Sequence, residues 1–142
     1  MYQIIKQRLA NSFLCLSRLL ASPDTEVEWQ RRLGKYVSTF PTPQNALDIF
    51  QGEWASVMPS ETKLSAGIIP LFEDRKIVWA EQVLGGFTGC KILELGPLEG
   101  GHTYMLEQRG AASILAIEAN QRAYLKCLVT KEILNLTRSR FL

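Results

Sequence analysis

An α/β fold is predicted, a helical N-terminal region followed by a βαβα(β) unit with parallel strands. Three observations predict it. Residues 91–95 and 113–118 are short apolar runs, each followed by a helical pattern. A glycine-rich stretch, residues 96–101, separates the first run from its helix. A third apolar run, residues 139–142, follows the second helix. Strands alternating with helices predict parallel pairing through right-handed crossovers.

Each element has a local cause. Residues 1–40 read as two helices broken at Ser22-Pro23-Asp24, with Val27, Leu33, Tyr36 and Val37 available to a core. The first 23 residues carry Lys6, Arg8 and Arg18 but no acid, and their apolar residues recur at near-helical spacing. That pattern suits a helix packed on its own domain, and also a targeting or membrane-surface segment. Pro41 and Pro43 close this zone. Residues 45–50 form a short helix. Residues 66–72 are apolar but bracketed by Gly67 and Pro70, so both a strand and a buried loop remain open. Asp74 caps a helix reaching Gly85, with Ile77, Val78, Ala80 and Leu84 as its apolar face.

From Cys90 the strand rhythm begins. Residues 103–109 form a helix that Gly110 stops. Residues 120–134 form a longer one, with Leu125, Val129 and Ile133 on one stripe and Tyr124 and Leu128 beside it. The domain boundary is placed between residues 89 and 90. Residues 1–89 are a mostly helical region covering the ligand domain, and residues 90–142 are the ligand domain itself.

Composition narrows the function. The 142 residues are 46% hydrophobic and 21% charged, which predicts a packed core. A formal net charge of +2 gives no strong nucleic-acid signal. No uninterrupted apolar stretch approaches the roughly 18–20 residues a bilayer span needs. The three cysteines form no CxxC pair and there is a single histidine, so no metal site is expected. Buried thiols in a reducing, cytoplasmic compartment are the expectation, with Cys90 and Cys127 both suited to core packing.

The chemistry lies in Glu94-Leu95-Gly96-Pro97-Leu98-Glu99-Gly100-Gly101. A glycine directly after a strand allows a sharp turn, and a second permits close backbone approach to a ligand. The following helix points free N–H groups at whatever occupies the turn. Glu118 ends the next strand, 22 residues after Gly96. An acid at about that spacing matches a ribose diol with its two oxygens. A dinucleotide fingerprint would place glycine at position 98, where this chain has Leu98, which argues against NAD or FAD.

The remaining E-x-G-x-x-x-G resembles the first motif of the class I S-adenosylmethionine (AdoMet)-dependent methyltransferases, Rossmann-like enzymes. The resemblance covers residues 90–142 and extends to helix 74–85. It implies AdoMet as cofactor. Glu94, Gly96, Pro97 and Gly100 would surround its methionyl part, Glu118 would bind the ribose, and Ala119 and Asn120 would line the adenine. Arg75 is a candidate for the cofactor carboxylate, with Trp79 packed over the site; the alternative is Asp74 as a helix cap and Trp79 in the core. His102 is a candidate general base or a polar residue of a first helical turn. The family's later strands carry most catalytic side chains and the acceptor, so no catalytic residue is assigned here. The expectation is a truncated domain with little transferase activity alone, whose unpaired strand edge offers a route to self-association. Two other readings stand beside it: a non-catalytic helix-rich interaction module on an α/β scaffold, and an NAD-binding half-domain of an oxidoreductase.

Overall fold

Three parallel strands lie side by side in sequence order: β1 (Lys91–Leu95), β2 (Ser113–Ile117) and β3 (Ser139–Phe141). A computed structural model of the chain describes residues 36–142. The two predicted N-terminal helices lie outside the described residues, except that Tyr36 and Val37 are exposed rather than buried. Residues 40–142 form one unit. Its helices are α1 (Pro43–Asp48), α2 (Arg75–Leu84), α3 (Gly101–Gln108) and α4 (Gln121–Ile133).

Local signals set most boundaries. The Asp74 side chain accepts from the Lys76 amide at the start of α2, and Gly85 ends that helix in the left-handed region. Asn120 caps α4 by accepting from the amides of Arg122 and Ala123. Residues 66–72 resolve into a loop. Ile69 makes an isolated bridge to Ser56, and a 3-10 turn, Leu71–Glu73, leads into Asp74.

Strand alternation divides the sheet. Ile92, Ile114, Ala116 and Phe141 face a core shared with Leu106 of α3 and Cys127 of α4. Both crossover helices therefore cover the same face. Leu93, Leu95, Leu115 and Ile117 point to the other face, where Leu95 is 73% and Leu93 61% exposed. Parallel strands are normally covered on both faces, and among the described residues nothing covers this one. The free edge of β1 has no strand beside it there either.

Three packing expectations are corrected. The buried residues of α4 are Ala123, Lys126, Cys127 and Thr130, while Leu125 and Leu128 stay partly exposed. Two contacts set this: a Cβ at Gly100 would lie 3.3 Å from Thr130 Cγ2, so α4 approaches the turn closely there, and Lys126 is drawn inward to Glu99. Val129 and Ile133 join a second cluster with Leu47, Phe50, Trp54, Met58 and Phe72 instead. Trp79 is 65% exposed, neither core nor cover for the turn. Cys90 is exposed where core packing was expected.

Candidate cofactor site

The glycine turn leaves the carboxyl end of β1, where open α/β sheets bind ligands. Its shape uses the left-handed region three times: Gly96 at φ 70°, Leu98 at φ 56° and Gly100 at φ 80°. The first and last cost little because they lack a Cβ. Leu98 is the strained member.

Two carboxylates grip this turn from opposite sides. Glu118, just past β2, accepts the Leu98 amide at 2.9 Å with one oxygen and the Asn120 amide at 2.9 Å with the other. Glu99 turns inward and is 1% exposed. It accepts the amides of Ala55 at 3.0 Å and Ser56 at 2.8 Å, and Lys126 Nζ at 2.6 Å. Burial pushes the Glu99 carboxyl up, but Lys126, Ser56 and the amides outweigh it and hold the group below the usual glutamate value.

Glu94 lies under the turn. Its Oε2 accepts the Thr103 hydroxyl at 2.5 Å, while Oε1 is buried with no partner. Burial raises this carboxyl, and the Thr103 hydrogen bond offsets that only in part. Cys127 donates its thiol to the Leu98 carbonyl at 3.5 Å. Burial, and then the surrounding carboxylates, push that thiol up to about 12, so it is a packing group and not a nucleophile.

The chain matches no protein-family model. It is 55% identical over 38 residues to ribosomal RNA small subunit methyltransferase A of Ruegeria sp. (strain TM1040), a stretch covering 27% of this chain and 14% of the relative. Among solved structures it superimposes on the N-terminal domain of EvdMO1 with SAH bound, at a TM-score of 0.58 and 23% identity, covering 70% of this chain and 43% of that one. The same domain solved in the presence of SAH and D-fucose gives a TM-score of 0.54 at 23% identity, with 70% of this chain and 42% of that one covered. The fold of this chain is the Rossmann-like fold of those structures. The chain spans less than half the length of each of these relatives.

Within this Rossmann-like fold, the predicted residues divide. Glu94, Gly96, Pro97, Gly100 and Glu118 converge on the turn. Asn120 is adjacent, but its carboxamide is committed to capping α4. Ala119 is exposed between Glu118 and that cap. Arg75 is exposed at the start of α2, and no hydrogen bond or ion pair among the described residues joins it to the turn. His102 pairs with Asp74 at 2.8 Å, tying the start of α3 to the start of α2. The Lys76 amide, and then His102, hold the Asp74 carboxyl below its ordinary value.

Glu99 and Lys126 were not singled out from sequence. An acid inside a glycine-rich turn is the only hint Glu99 gives, and Lys126 looks like an ordinary helical lysine. A groove of about 420 Å³ with Lys91, Leu93, Leu115 and Arg140 among its walls lies on the uncovered face, toward the amino ends of the strands and away from the turn.

Proposed function

We propose that residues 40–142 are the AdoMet-binding half of a class I methyltransferase. One observation carries this reading: two acids stand at the carboxyl ends of adjacent parallel strands, on either side of a glycine turn that opens α3.

The residues present fit the cofactor. Glu94 Oε1 is buried without a donor, and the ammonium of a methionyl group would satisfy it. A Cβ at Gly96 would meet no atom within 4 Å, so the backbone there is open to close approach. Glu118 keeps lone pairs beyond the two amides it accepts, enough for a ribose diol. Pro97 and Gly100 would shape the methionyl side, and Ala119 and the Asn120 backbone would line the adenine. Arg75, exposed at the start of α2, would be the cation for the cofactor carboxylate. Bound AdoMet supplies an electrophilic methyl group, and these residues bind and orient its carrier.

We assign acceptor binding to whatever covers the open sheet face and continues past the β1 edge. The β1 edge, with no strand beside it among the described residues, and the exposed Leu93 and Leu95 on the open face favour a second reading, self-association of the chain. The composition, three cysteines with no CxxC pair, is consistent with a reducing, cytoplasmic setting.

The test is calorimetric titration of the 142-residue chain with S-adenosylhomocysteine, and with NADH in parallel. Binding of the first and not the second, weakened at least about tenfold in a folded Glu118→Ala variant, is the expected result. Binding unchanged in that variant, or binding of NADH instead, would overturn the reading.

A further inference from the structure

We propose that Glu99 and Lys126 are positioning residues of the cofactor turn, a buried clamp that holds the turn in its binding shape whether or not a ligand is present. The choice of ligand rests on the AdoMet reading; the clamp itself rests on geometry.

Three separate stretches meet at one carboxylate. Glu99 belongs to the turn, flanked by Leu98 and Gly100 in the left-handed region. Its oxygens accept the amides of Ala55 and Ser56 from the loop after α1, and the ammonium of Lys126 from α4. Lys126 Nζ also donates to the Glu53 carbonyl at 2.7 Å and sits 5.5 Å from the Trp54 ring centroid. Arg122, one turn earlier on α4, forks onto the Glu53 carboxylate with two contacts of 2.6 Å. The loop is thus fastened along α4, and Glu99 fastens the turn to both.

Stability alone is a weak account of such a pair. A buried ion pair commonly contributes no more than apolar side chains of similar volume, because both charges are desolvated. What it adds is direction: each Glu99 oxygen has fixed donors, so the side chain admits one placement, and its backbone follows. The opposite side of the turn is held by Glu118, which is accessible and which a ribose would engage. Because Glu118 is accessible to the ligand and would hold both the Leu98 amide and a ribose, a second restraint that the ligand never touches keeps the turn in place when the site is empty. Glu99 is that restraint. It also brings residues 53–56, from outside the βαβα unit, into the construction of the site.

Three variants of the full chain test this: Glu99→Gln, Lys126→Met and the charge-conserving Lys126→Arg. Two readouts are taken on protein with a cooperative melt. One is hydrogen exchange at the Gly100 amide, which is bonded to the Pro97 carbonyl within the turn, normalised to the Ala116 amide of β2. The other is the dissociation constant for S-adenosylhomocysteine. Glu99→Gln and Lys126→Met should each raise both by about tenfold, the equivalent of one charge-assisted hydrogen bond. Lys126→Arg should keep both within about threefold of the parent chain. A purely stabilising pair would lower the melting temperature and leave normalised exchange and affinity unchanged, which would overturn the proposal. Should Glu99→Gln not fold, the Lys126 variants decide alone. Should the parent chain fail to bind S-adenosylhomocysteine, the AdoMet reading falls, and exchange at Gly100 still decides the clamp.

Discussion

Glu118 accepts the amide of Leu98 at 2.9 Å, so the carboxylate that ends one strand holds the one non-glycine residue forced left-handed in the turn after the other. Leu98 is partly exposed, so its side chain contributes little packing there. Leu98→Gly should therefore be neutral or stabilising by up to about 1 kcal/mol, while β-branched Leu98→Val should cost about 1–2 kcal/mol. Denaturant unfolding of both variants checks the order. Valine as stable as glycine would contradict the left-handed conformation.

Two glycines of the same turn should separate by role. Gly101→Ala would place a Cβ 2.7 Å from the Leu71 carbonyl oxygen, so α3 must move off the 3-10 turn at a cost of about 1–3 kcal/mol. Gly96→Ala meets no atom and bears only the left-handed penalty of about 1–2 kcal/mol. The Gly96 variant should lose S-adenosylhomocysteine affinity out of proportion to its stability, since its methyl enters the space left for the ligand. Melting curves paired with titration distinguish the two.

Glu94 should show a trade between stability and binding. Its folded carboxyl is raised above the ordinary value near 4.5 by burial. The folded state therefore binds this proton more tightly than the unfolded chain. Charging the group costs stability; the cost is absent below the unfolded value and complete once pH exceeds the raised folded one. Glu94→Gln should melt higher than the parent chain at neutral pH, with the gap closing as pH falls toward the unfolded value. The same variant should bind S-adenosylhomocysteine about tenfold more weakly, having lost the charge opposite the ammonium.

The cysteines should differ in reactivity. Cys127 is buried with its thiol pushed up to about 12, and Cys90 is exposed. Iodoacetamide at mild alkaline pH should modify Cys90 in the folded chain and reach Cys127 only on unfolding. Peptide mapping by mass spectrometry reads the sites, and prompt labelling of Cys127 would show that α4 does not seal the turn.

The sequence by itself determined the strand order of events and the frame of the site. Short apolar runs marked β1 and β2, the side-chain acceptor at Asp74 marked a helix start, and the spacing of Glu94, Gly96 and Glu118 marked the ligand end of the sheet. These features are local, so residue type and spacing suffice to reveal them. Only the tertiary structure decided which side chains share an environment. It buried Ala123, Lys126, Cys127 and Thr130 of α4 and left Leu125 and Leu128 exposed, while Val129 and Ile133 packed elsewhere. It left Trp79 and Cys90 in solvent. It also joined Glu99 to Lys126, 27 positions on, and to amides 43 and 44 positions back. A buried carboxylate and its donors need no periodicity and no fixed spacing, because the chain supplies them from wherever the fold brings a cation and free N–H groups within reach.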